Sequence, residues 1–94
     1  MTKIVNCKDD AYDVYIGRPS IWGNPFIIPR DGNRKEVIEK YYQYLRNNEY
    51  LLSEIHKLDG KVLGCWCKPK KCHGDVIIQV LEELKIEGFI NRFF

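Results

Sequence analysis

Cys65, Cys67, Cys72 and His73 fall within nine consecutive positions, and three thiols with an imidazole at that density are groups from which nucleophiles and metal sites are built. Lys68, Lys70 and Lys71 lie among them, and nearby positive charge stabilises a thiolate, the form that attacks and the form that ligates. Side chains alternate along a strand, so Cys65 and Cys67 are expected on one face and Trp66 on the other. The segment Cys72-His73-Gly74-Asp75 is expected at the first turn of the next helix. Unpaired N–H groups and the positive end of the helix dipole favour an anion there.

Three chemistries fit these residues. In the first, the site handles a nucleotide or phosphate: Cys67 or Cys72 is the nucleophile, His73 exchanges protons, and the turn carrying Gly74 and Asp75 holds the anion. In the second, Cys65, Cys67, Cys72 and His73 are the four ligands of a zinc ion in a module that binds protein or nucleic acid through the lysines. The spacing argues against that set, because adjacent residues such as Cys72 and His73 diverge at a helix start. In the third, the cysteines are small core residues and His73 caps or hydrogen-bonds. Cys7 stands apart and would approach the others only if its strand neighboured theirs.

A second segment, Gly17-Arg18-Pro19-Ser20-Ile21-Trp22-Gly23-Asn24-Pro25-Phe26, has the composition of a ligand-binding loop after a strand. Arg18 suits a two-pronged grip on phosphate or carboxylate, Asn24 suits a polar edge, and Trp22 either stacks on a base or lids the core, the core placement ranking first. Neither G-x-x-x-x-G-K nor G-x-G-x-x-G occurs.

The elements that must position these groups are legible from periodicity. Ile4 to Cys7 and Tyr12 to Ile16 are β-prone, and residues 17 to 33 form mostly loop, with Phe26-Ile27-Ile28 a short strand or anchored segment within it. Val37, Ile38, Tyr41, Tyr42 and Leu45 recur at helical spacing and predict a helix over 34 to 47; Leu51, Leu52, Ile55 and Leu58 predict a shorter one ending at Asp59-Gly60. His56 sits on that second helix as a structural residue, and the tyrosines at 41, 42 and 44 suit core packing. Lys61 to Cys67 is the candidate central strand, and Ile77, Val80, Leu81 and Leu84 mark the inward stripe of a helix from about 73 to 85. The apolar tail Gly88 to Phe94 is expected to pack on the body or on a second subunit.

A chain of 94 residues with net charge +2 has room for one modest core, and the charge is too small to imply nucleic acid by itself. No apolar run is long enough to span a membrane, and no secretory leader is evident, so a cytoplasmic protein with reduced thiols is expected. The expected fold is a single α/β domain over 1–94, a three- to four-stranded, mainly parallel, Rossmann-like sheet flanked by helices, with the site at the strands' carboxyl ends. Expected partners are a small phosphorylated or nucleotide ligand, or nucleic acid, with no membrane, for a monomer or homodimer.

Tyr12-Asp13-Val14-Tyr15-Ile16-Gly17-Arg18, Trp22-Gly23-Asn24-Pro25-Phe26, the stretch from Gly60 to Pro69, and Cys72-His73-Gly74-Asp75 together resemble the domain of unknown function 4326 family of bacteria and phages. The resemblance spans nearly the whole chain. It implies one site built from both segments and brings no established activity. The Cys67 to His73 portion is more faintly similar to another family with a strand-end cysteine followed by Cys-His at a helix start, which favours an anion site over a four-ligand zinc. Cys7 is not a family feature.

Overall fold

The computed structural model describes residues 2–68 and 70–88. Strands β1 (Lys3–Asn6), β2 (Val14–Tyr15) and β3 (Val62–Cys65) form one sheet in the order β1-β3-β2, both outer strands running parallel to β3. Helices α1 (Arg34–Arg46), α2 (Glu49–Glu54) and α3 (His73–Glu87) complete the fold, with a 3-10 turn over Ile55–Leu58. This is the small parallel α/β sheet anticipated above, and Lys61 to Cys67 does supply its middle strand. The segment Phe26-Ile27-Ile28 forms no strand. The expectation for Phe89 to Phe94 lies outside the described residues.

Local signals explain where the helices begin. The Asn33 carboxamide accepts from Glu36 N–H at 2.9 Å while the Glu36 carboxylate accepts from Asn33 N–H at 2.9 Å, a reciprocal cap that starts α1. Asn48 caps α2 by accepting from Leu51 N–H at 3.0 Å. Asp75 accepts from Cys72 N–H at 3.0 Å and fixes the first turn of α3, which ends at Gly88 in a left-handed conformation. Leu63 and Cys65 of β3 are fully buried with Tyr41 and Leu45 of α1 and with Ile77, Val80 and Leu81 of α3. Apolar positions three and four apart on two helices thus meet the inward face of the central strand.

The opposite face of β3 is crossed by the chain itself. Because β1 and β2 are parallel and lie on either side of β3, residues 7–13 must pass from one side to the other, and Tyr12 lies over Gly64 as they do. A Cβ on Gly64 would sit 2.6 Å from Cγ of the Tyr12 ring, closer than side chains pack, so the crossing needs glycine there. Gly64→Ala is expected to destabilise the fold by about 1–3 kcal/mol in urea unfolding. In a Tyr12→Ala background the cost should largely vanish; an equal cost in both backgrounds would place its origin elsewhere.

Candidate functional site

Beyond Cys65 the chain leaves the strand and bends, with Lys70 N–H donating to Cys67 C=O at 2.8 Å. The Asn6 side chain supports the bend by donating to Lys68 C=O at 2.7 Å. The strand itself ends at Cys65, two residues short of Cys67, and Cys67 packs against the core cluster that holds Cys65. Cys65 points into the core, Trp66 is 63% exposed, and Cys67 is half-buried.

Cys67 faces a cleft of about 520 Å³ at the carboxyl ends of β2 and β3, where the first turns of α1 and α3 also arrive. Its walls bring together Gly17, Arg18 and Asn24 from the long loop with Cys67, Cys72 and His73. Three candidates stand off the wall. Trp22 is buried in the core, its carbonyl accepting from the Tyr41 hydroxyl at 2.7 Å. Gly74 is buried where a Cβ would sit 2.5 Å from Cδ1 of Ile4, so its smallness lets α3 close on the sheet. Asp75 is occupied by the Cys72 N–H and by the Lys68 ammonium at 3.1 Å. Asn24 lines the cleft while bracing it, donating to Val37 C=O at 3.2 Å and accepting from Phe26 N–H at 2.9 Å.

Several lining residues escaped sequence reasoning as ligand contacts, among them Tyr15, Phe26, Arg34 and Trp66. Arg34 had the one available signal, a cation at the first position of a helix, where the dipole disfavours positive charge. Its guanidinium donates to Lys71 C=O at 3.2 Å, bridging α1 to the bend before α3. Trp66 donates its indole N–H to the Tyr15 hydroxyl at 3.0 Å, and that hydroxyl donates to Arg18 C=O at 2.8 Å, so two aromatic rings and the arginine backbone are linked. No carboxylate lines the cleft among the described residues. A larger hollow of about 630 Å³ between α1 and α3 is lined by Glu36, Glu39 and Asp75 as well as Lys40 and Lys71, and lacks all four residues of the cysteine–histidine segment.

Beneath the cleft the Cys65 and Cys72 sulfurs are 3.2 Å apart and share a hydrogen bond. That bond, with the backbone N–H groups of Cys67 and Lys68, outweighs burial and brings the Cys65 thiol down to about 6, while the Cys72 thiol is held above its ordinary range by the same bond and by burial. The pair thus gives up one proton readily and keeps the other. Zinc ligation by Cys65, Cys67, Cys72 and His73 is not what the geometry builds. Among the described residues no three histidine, cysteine or carboxylate side chains converge as a metal's ligands would. Cys72 turns to Cys65, while His73 Nε2–H donates to Ile16 C=O at 2.7 Å and its ring meets Tyr41 edge to face.

Burial pulls the His73 imidazole below the usual histidine range, although the Ile16 carbonyl opposes the shift. A base whose folded value is depressed binds its proton more readily when unfolded, so the stability it contributes is present above the unfolded value of about 6.5 and is lost as pH falls below it. His73→Gln, which keeps a donor for Ile16 C=O, should flatten that part of the stability–pH profile. Parallel profiles for the two proteins below pH 6.5 would contradict a buried neutral imidazole.

The pattern of the domain of unknown function DUF4326 matches residues 2–83. The chain belongs to that family. It is also similar to the "uncharacterized 12.4 kDa protein in nrdA-td intergenic region" of Enterobacteria phage T4, 32% identical over 93 residues, covering 95% of this chain and 85% of that one. With the "uncharacterized protein R718" of Acanthamoeba polyphaga mimivirus it shares 38% identity over 123 aligned positions, covering 100% of this chain and 94% of the relative. No solved structure matches the chain. The DUF4326 match spans both the Arg18–Asn24 loop and the Cys67–His73 bend, the two segments that meet at the cleft. Among the described residues no helix is long and apolar enough to cross a membrane.

Proposed function

We propose that the cleft binds a nucleotide or another phosphorylated small ligand. The observation that carries this reading is the pairing of Arg18 and Arg34 on walls that hold no carboxylate, among the described residues, at the strands' carboxyl ends. No hydrogen bond or ion pair engages the Arg18 guanidinium within the described structure, which leaves its fork available to a phosphate. The exposed Trp66 ring and Tyr15 at the rim offer a base a stacking surface, and Phe26 adds apolar wall. Cys67 is the thiol nearest to serving as a nucleophile, since Cys72 is engaged by Cys65 and His73 by Ile16. A covalent step, if the ligand undergoes one, falls to Cys67.

Tryptophan fluorescence tests the proposal, because Trp66 is exposed at the cleft and Trp22 is buried. Titration with nucleoside mono-, di- and triphosphates should change the emission saturably, and Trp66→Phe should abolish the change while calorimetry still detects binding. Unphosphorylated nucleosides should bind more weakly by about tenfold or more, the loss of one charged hydrogen bond. Equal affinity for nucleoside and nucleotide, or no binding of either, would overturn the phosphate reading.

A further inference from the structure

We propose that Cys65 and Cys72 are a modification site, a dithiol that a small peroxide closes to a disulfide at the floor of the cleft. The inference does not depend on the phosphate reading. The two residues come from different elements, the end of β3 and the cap of α3, and the fold brings their sulfurs to 3.2 Å. A disulfide needs about 2.05 Å, so the sulfurs have only a short approach to make. Cys65 is fully buried and Cys72 is 1% exposed, yet Cys72 belongs to the cleft wall. The route suits an oxidant the size of hydrogen peroxide and shuts out a bulky disulfide such as oxidised glutathione, which meets half-buried Cys67 instead. The hydrogen bond between the sulfurs lets the pair hold one proton and one negative charge, the thiolate that the first step requires.

In that step the Cys72 sulfur, which meets the cleft, attacks one peroxide oxygen as its proton passes across the shared hydrogen bond to Cys65. A sulfur–oxygen bond forms, the oxygen–oxygen bond breaks, and hydroxide leaves to be protonated to water, giving a sulfenic acid. The second sulfur then attacks the first. The sulfur–sulfur bond forms, the sulfur–oxygen bond breaks, and the hydroxyl departs as water with the second thiol's proton. The dithiol has lost two electrons, which the peroxide has gained. A thiol reductant reverses the change by exchange.

The test treats the native full chain with hydrogen peroxide at neutral pH, then unfolds it, caps the remaining thiols and maps the tryptic peptides. Trypsin cuts at Lys70 and Lys71, which separates Cys72 from the peptide holding Cys65 and Cys67. The expected result is loss of two of the four thiols, a Cys65–Cys72 link assigned from fragment ions, the same link in Cys67→Ser, and recovery of four thiols with dithiothreitol. Oxidised glutathione should instead cap Cys67 and leave the pair reduced. Peroxide treatment that links Cys67 to Cys72, or that oxidises Cys67 while Cys65 and Cys72 both remain free, would overturn the proposal. Fragment assignment in the wild-type chain decides the matter even if the Cys67 variant folds poorly.

Discussion

Replacing Arg18 and Arg34 together by alanine should weaken binding of a phosphorylated ligand at least about a hundredfold. A hydrogen bond to a charged group contributes about 1.5–3 kcal/mol, which for each arginine alone corresponds to roughly tenfold to just over a hundredfold in affinity. The Arg18 side chain is exposed, so its loss leaves the core intact; Arg34 gives up the link to Lys71 C=O as well. Lysine at both positions should restore part of the affinity, because a point charge remains while the planar fork is lost. Calorimetric titration of the single and double variants measures this, with thermal unfolding as the control for folding. Wild-type affinity in the double variant would remove the basis for placing phosphate between these two residues.

Tyr41→Ala should cost about 3–5 kcal/mol of stability, the range for emptying a large aromatic from a core. Tyr41 is fully buried, lies edge-on to His73 and donates to Trp22 C=O, so one side chain ties α1, the long loop and α3 together. Burial, foremost, holds its phenol above the usual tyrosine range, so it stays a neutral donor at every pH the fold survives. For a domain of this size the loss corresponds to a melting temperature lower by more than about 12 °C. Tyr41→Phe isolates the hydrogen bond, whose removal should cost about 1–3 kcal/mol by leaving the Trp22 carbonyl without its partner. Calorimetric scans that show Tyr41→Ala melting within a few degrees of wild type would contradict a keystone role.

How far the residues alone disclose this arrangement varies with the range of the interaction. The limits of α1 and α3 are readable because the apolar repeats at Val37, Ile38, Tyr41 and Leu45 and at Ile77, Val80, Leu81 and Leu84 are local signals, and both are buried as expected. The convergence of the Arg18 loop with the Cys67–His73 bend follows from placing both after parallel strands. What the residues hide is tertiary. The strand ends at Cys65 and gives way to a bend held by the Asn6 side chain and by the bond from Lys70 N–H to Cys67 C=O, and no periodicity signals that. His73 reads as a proton carrier from its type and neighbours, but its Nε2–H is bonded to the carbonyl of Ile16, 57 residues away. Trp22 is buried, as its first-ranked core placement expected, whereas the position of Trp66 at the cleft rim emerges only from the packed fold.

The pairing of Lys3 with Val62 and of Val14 with Leu63 also dictates an order of assembly. The first two strands emerge from the ribosome with nothing to hydrogen-bond, and nearly fifty further residues must be synthesised before their shared neighbour exists. Closing so long a stretch of chain costs entropy before any ladder forms, so the helical segments between can organise first and the sheet must wait. A nascent polypeptide halted before residue 62 therefore carries the apolar faces of α1 and α2 without the strand that completes their core, and the growing chain depends on the late arrival of the stretch that also delivers its sulfur pair.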